Sequence, residues 1–168
     1  MPPDGFLVGR SRRVRLPTVE DTQAWGARLG ALLEAGDLLV LSGGLGAGKT
    51  ALTQGVAQGL RVRGPITSPT YVIARVHPSL VGGPDLVHVD AYRLGGLAEL
   101  DDLDLEASLD EAVTVVEWGH GVAEQLSDDY LEVTLSGDDT RTAHLVGHGC
   151  RWTDHDAGEQ LDDLLLLP

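Results

Sequence analysis

The chain has 168 residues with 12 basic and 26 acidic side chains, a formal charge of −14 at pH 7 and a pI near 4.5. Such a surface repels phosphate backbones, which bind proteins mainly through basic patches that displace counterions, so unaided nucleic-acid binding is not expected. A hydrophobic content of 42% at this length fits one folded domain spanning residues 1–168.

Residues 1–15 carry Arg10, Arg12, Arg13 and Arg15 without a following apolar stretch, and no segment approaches the length of a membrane span. Cys150 is the only cysteine, so no disulfide can close within the chain and a reducing compartment fits best. The expectation is a cytoplasmic protein with no membrane partner. The acidic balance reads first as a solvated surface, and it would also suit a basic protein partner.

A short strand is expected at residues 14–16. Thr18 then stands three residues before Asp21, a capping box with Asp in place of Glu, and Trp25, Leu29, Leu32 and Leu33 recur at helical spacing, predicting a helix over residues 19–35. "DLLVLSG" is a compact apolar run of the kind that fills a buried parallel strand. A glycine-rich turn follows, then a helix with Leu52, Val56 and Leu60 on one face, which together open a βαβ unit.

"YVIARVH" (residues 71–77), "LVHVD" (residues 86–90) and "VTVVE" (residues 113–117) are rich in β-branched residues and read as strands. The acidic run from Leu97 to Ala112 has leucines at three-residue steps and reads as one or two short surface helices. "LEVTLSGDDTRTAHLVG" alternates Leu131, Val133 and Leu135 ahead of a Gly-Asp-Asp turn, predicting an antiparallel hairpin. "LDDLLLLP" at the end is too short for a span and reads as a terminal segment packed on the body. The sum is an α/β fold, a mixed and mostly parallel sheet flanked by helices with a C-terminal antiparallel hairpin.

The glycine turn holds the only lysine of an otherwise arginine-using chain. Gly43, Gly44-Leu45-Gly46-Ala47 and Gly48-Lys49-Thr50 fit G-x-x-x-x-G-K-[ST] without a mismatch. Glycines let the backbone turn its N–H groups inward around a diphosphate, beside the helix N-terminus that follows. Lys49 has to place a compact ammonium between the β- and γ-phosphates, where a planar guanidinium would not fit, and the Thr50 hydroxyl suits Mg²⁺. A P-loop NTPase-like domain is therefore expected.

Mg²⁺ and the attacking water need acids at the ends of apolar strands. Asp90 and Glu117 are the candidates, either one on the metal and the other on the water; spacing does not divide the roles. Guanine-specific GTPases use N-K-x-D, for which no lysine remains, so ATP is favoured by elimination. "TSPTY" (residues 67–71) lies where switch loops present a hydroxyl, although read alone it is a tight connection before a strand.

"GGLGAGKT", "TSPTY", "HVDAYRL" and "VVEWG", in this order and at these intervals, resemble the TsaE family, formerly YjeE, of bacterial tRNA threonylcarbamoyladenosine biosynthesis. The resemblance covers nearly the whole chain. It implies a Mg-dependent ATPase of low intrinsic activity that works with the TsaD and TsaB proteins and does not itself transfer the group, the tRNA being held by those partners. It further implies Thr50 and Glu117 as Mg²⁺ ligands and Asp90 as a catalytic or metal-linked aspartate. Ser68 and Thr70 match its switch segment and Trp118 the tryptophan of its "EW" pair, and by the same resemblance Thr22 and Arg141 are expected to line the base and phosphates. The family often continues "EW" with Pro-Glu; Gly119-His120 stands here, and no role is assigned to His120. His88 reads as a strand histidine, not a metal ligand.

Two other functions share these residues. A small-molecule kinase would use the same loop but needs lid arginines to clamp the phosphoryl group, and after Thr50 no lid-like cluster exists beyond Arg61 and Arg63. A nucleotide-dependent binding module would use ATP only to order its switch.

Overall fold

The computed structural model describes residues 8–44, 46–67, 74–91, 109–118 and 126–166. Leu45, Ser68, Thr70, the first residues of the 71–77 strand, His120 and most of the acidic run lie outside them. A seven-stranded sheet has the order β1-β7-β6-β2-β5-β4-β3. The strands are β1 (Arg12–Leu16), β2 (Leu38–Ser42), β3 (Ala74–His77), β4 (Leu86–Asp90), β5 (Val113–Glu117), β6 (Tyr130–Ser136) and β7 (Arg141–His148). The described helices are α1 (Val19–Leu32), α2 (Lys49–Leu60), α3 (Cys150–Thr153) and α4 (His155–Asp163).

The centre of the sheet is parallel, β6-β2-β5-β4, and it is flanked by antiparallel β7 and β1 on one side and β3 on the other. The expected "LVHVD" and "VTVVE" strands are β4 and β5, and the expected hairpin is β6–β7. Leu38, Leu39, Val40 and Leu41 of β2 are all fully buried, as a strand covered on both faces requires. Leu39, Leu41, Val113, Val115, Leu131 and Val133 line the face under the helices; Leu38, Val40, Val87, Val89 and Val116 line the other.

Helix α1 begins at the predicted capping box. The Thr18 hydroxyl accepts from the Asp21 N–H at 3.1 Å, and the Asp21 carboxylate accepts from the Thr18 N–H at 3.0 Å. It ends three residues before the expected 35. The buried Asp37 carboxylate accepts the Glu34 N–H at 2.7 Å, drawing the chain out of the helix, and Gly36 supplies the turn at φ 97°.

Helices α1 and α2 pack backbone to backbone through glycines. A Cβ at Gly30 would lie 2.4 Å from the Val56 carbonyl oxygen, and one at Gly59 would lie 2.1 Å from that of Ala27. Gly26 and Gly55 are equally closed, against Leu52 and Gln23. This contact seats α2, and with it Lys49, on the sheet. The C-terminal segment packs as expected: Leu161 and Leu164 are buried, the Trp25 indole donates to the Leu164 carbonyl at 2.9 Å, and Arg10 and Arg12 of the first strand region pair with Asp162 of α4.

Candidate active site

Strands β2, β4 and β5 end side by side, and in an open α/β sheet the crevice beyond such carboxyl ends is where ligands bind. In register, Leu41 stands opposite Glu117 and Glu117 opposite Asp90. Paired residues of parallel strands share a face, so Asp90 and Glu117 project together from the last rung, on the side that carries α2. Both are buried, Glu117 to 3% exposure.

Between β2 and α2 the chain makes its glycine turn. Gly43, Gly46 and Gly48 have φ of 154°, 75° and 104°, backbone that L side chains rarely adopt. Gly43 also approaches β6 closely, since a Cβ there would lie 2.8 Å from the Leu135 carbonyl oxygen. At Gly44 and Gly46 a Cβ would meet nothing within 4 Å, so this part of the loop faces open space. Gly48 caps α2 in the left-handed conformation without a side-chain bond, leaving the first-turn N–H groups to a ligand.

Lys49 opens α2 and is 7% exposed. Its ammonium donates to the carbonyls of Gly43 at 2.8 Å and Gly44 at 2.9 Å. Burial draws its pKa below the ordinary lysine value, and the neighbouring Glu117 and Asp90 carboxylates act against that fall. The Trp118 ring covers the ammonium, with the nitrogen 4.0 Å from the ring centroid. Trp118 adopts φ 60°, unusual for a bulky residue, and its N–H donates to the Leu41 carbonyl at 2.9 Å. The sequence-predicted Lys49, Asp90, Glu117 and Trp118 thus meet in one place.

Thr50 lies in the first turn of α2, half-buried. With Asp90 and Glu117 it offers the hard oxygen donors that suit Mg²⁺. A cavity of about 430 Å³ is lined by Ser42, Gly43, Thr134 and Trp118, and a second of about 380 Å³ lies between Gly44, Gly46, Ala47 and the β6–β7 turn. The buried Ser42 hydroxyl has no hydrogen-bond partner among the described residues. A glycine cradle, helix N–H groups, one cation and paired carboxylates fit a nucleotide phosphate chain with its metal.

Two expected residues contact the protein itself. Arg141 sits on the loop's carbonyls, donating to Gly46 at 2.8 Å and Ala47 at 3.2 Å, and to Asp138 at 3.1 Å. Thr22 is buried in α1 with its hydroxyl donated to the Thr18 carbonyl at 3.2 Å. His88, expected only as a strand histidine, also belongs to the site. Its Nε2 lies 3.0 Å from Glu117 Oε1, and the clue was its place two residues before Asp90, which puts it on the same strand face.

The family model for threonylcarbamoyl adenosine biosynthesis protein TsaE matches residues 16–144. A tRNA threonylcarbamoyladenosine biosynthesis protein TsaE of Streptomyces coelicolor is 56% identical over 138 residues, spanning 78% of this chain and 93% of its own. Its counterpart of the same name from Bacillus subtilis is 36% identical over 136 residues, spanning 79% and 84%. The crystal structure of Bacillus subtilis YdiB is similar at a TM-score of 0.70 and 28% identity, covering 94% of this chain and 95% of that one.

Proposed function

The chain belongs to the TsaE family of threonylcarbamoyl adenosine biosynthesis, and from that footing we propose that it binds and hydrolyses ATP with Mg²⁺ in the cytoplasm as an accessory to the TsaD–TsaB complex. It takes no part in the group transfer itself. One observation carries the reading: the loop's single lysine meets Glu117 and Asp90 at the carboxyl ends of adjacent strands.

On ATP binding the Lys49 ammonium leaves the Gly43 and Gly44 carbonyls for the β- and γ-phosphate oxygens. The glycine turn wraps the phosphates with N–H groups, and Arg141 holds the turn in shape from its carbonyl oxygens. Thr50 and Glu117 would hold Mg²⁺, which when bound neutralises charge on the β- and γ-phosphates. Asp90 orients the attacking water: the water's oxygen bonds to the γ-phosphorus, the bond from the γ-phosphorus to the bridging oxygen breaks, and ADP departs with the electron pair of that bond. The proton shed by the water passes to Asp90 or to the phosphate released.

A charge of −14 leaves tRNA binding to the partner proteins, so tRNA contacts this chain only indirectly. Phosphate release and nucleotide binding test the reading together. Lys49→Ala abolishes binding, whereas Asp90→Ala and Glu117→Ala still bind and no longer turn over. Normal hydrolysis by both acid variants would remove the metal and water roles. A phosphorylated small molecule in place of free phosphate would make the protein a kinase.

A further inference from the structure

We propose that His88 is a positioning residue that fixes the Glu117 carboxylate for its work on Mg²⁺, an inference that rests on the role of Glu117 given above. On the helix-covered face β4 presents Leu86, His88 and Asp90, and β5 presents Val113, Val115 and Glu117. His88 stands opposite Val115, one rung below the acids, and is fully buried.

A carboxylate only accepts, so the proton of the 3.0 Å contact lies on His88 Nε2 and is donated to Glu117 Oε1. That bond commits one carboxylate oxygen and fixes the plane of the group, leaving Oε2 as the oxygen for a metal. The other ring nitrogen, Nδ1, is buried without a hydrogen-bond partner among the described residues. A buried polar atom left unpaired costs stability, so an imidazole among Leu86, Val113 and Val115 is a poor packing choice compared with leucine. What it adds is the fixed donor to Glu117. Groups that orient a metal-binding side chain in this way typically alter metal affinity or activity by about 10- to 100-fold when removed.

The test compares His88→Gln, whose amide nitrogen reaches the place of Nε2, with His88→Leu, which fills similar space without a donor. His88→Asn, whose amide stops short at the place of Nδ1, serves where the leucine variant unfolds early in a thermal melt. Calorimetry measures the affinity for a non-hydrolysable ATP analogue with and without Mg²⁺, and phosphate release gives kcat and KM. The expected result is that metal-free affinity is unchanged in all three. The gain in affinity from Mg²⁺ and kcat fall about tenfold or more in His88→Leu and His88→Asn, and return in His88→Gln to within about threefold of the parent. If the leucine and asparagine variants keep the Mg²⁺ gain and kcat while Glu117→Gln loses both, His88 only fills space. If Glu117→Gln itself keeps both, the assignment of Glu117 fails, and the inference with it.

Discussion

Adding one methyl group to the seam between α1 and α2 destabilises the protein, while the same change on α4 stabilises it. Gly59→Ala places a Cβ 2.1 Å from the Ala27 carbonyl oxygen, where a carbon–oxygen contact needs about 3.3 Å. The obstacle is backbone, so no rotamer change relieves it and the helices must part by roughly an ångström. Alanine gains about 0.8–1.0 kcal/mol of helix propensity, against an overpacking cost at or above the upper end of about 1–3 kcal/mol. The net loss is about 2 kcal/mol, which lowers Tm by about 4–8 °C in a chain of this size. Gly158 in α4 is the control: its Cβ would rest 3.7 Å from Arg12 Nη2, an ordinary contact, so Gly158→Ala raises Tm by about 2–4 °C. Thermal unfolding followed by circular dichroism reads both. A Gly59→Ala variant as stable as Gly158→Ala would refute the backbone-to-backbone packing.

Two further outcomes follow from the geometry. Arg141→Ala removes the donors from the Gly46, Ala47 and Asp138 carbonyls and weakens ATP binding about tenfold; Arg141→Lys, lacking the planar fork, does not restore it. Titration calorimetry checks this, and unchanged affinity in both variants would show that the brace is not needed. Burial, more than the nearby His88 and Arg75, holds the pKa of His77 below the ordinary 6.5, against its bond to the Arg63 carbonyl. The unfolded chain therefore protonates first as pH falls, so stability drops from about pH 6.5 downward until the folded-state value is passed, and is level below it. His77→Asn keeps a donor for the Arg63 carbonyl and removes the titration, so urea midpoints at pH 7.5 and 5.5 differ less for the variant; equal differences would contradict the sign.

Local chemistry made much of this fold legible. The capping box at Thr18, the apolar run of β2 and the β-branched strands β4 and β5 each carry their signal within a few residues. So does the loop, whose glycines and lysine complete one G-x-x-x-x-G-K-[ST] pattern. What stayed hidden depends on residues far apart in sequence. Gly26 and Gly30 in α1 and Gly55 and Gly59 in α2 share a four-residue spacing that marks close helix contact, yet only the pairing of the two helices gives it meaning. The edge pairing of β1 with β7, the bond from His88 to Glu117 and the seat of Arg141 on the loop likewise depend on register between distant segments.

The most direct measurement is mass spectrometry of tRNA nucleosides from a reconstituted mixture of TsaD, TsaB, an enzyme that makes threonylcarbamoyl-adenylate, threonine, bicarbonate and ATP. It is run with the parent chain, with Lys49→Ala, with Glu117→Gln, and with no addition. Threonylcarbamoyladenosine beyond one equivalent of TsaD–TsaB is expected only with the parent chain. Equal multiple-turnover product in all four mixtures would contradict that expectation.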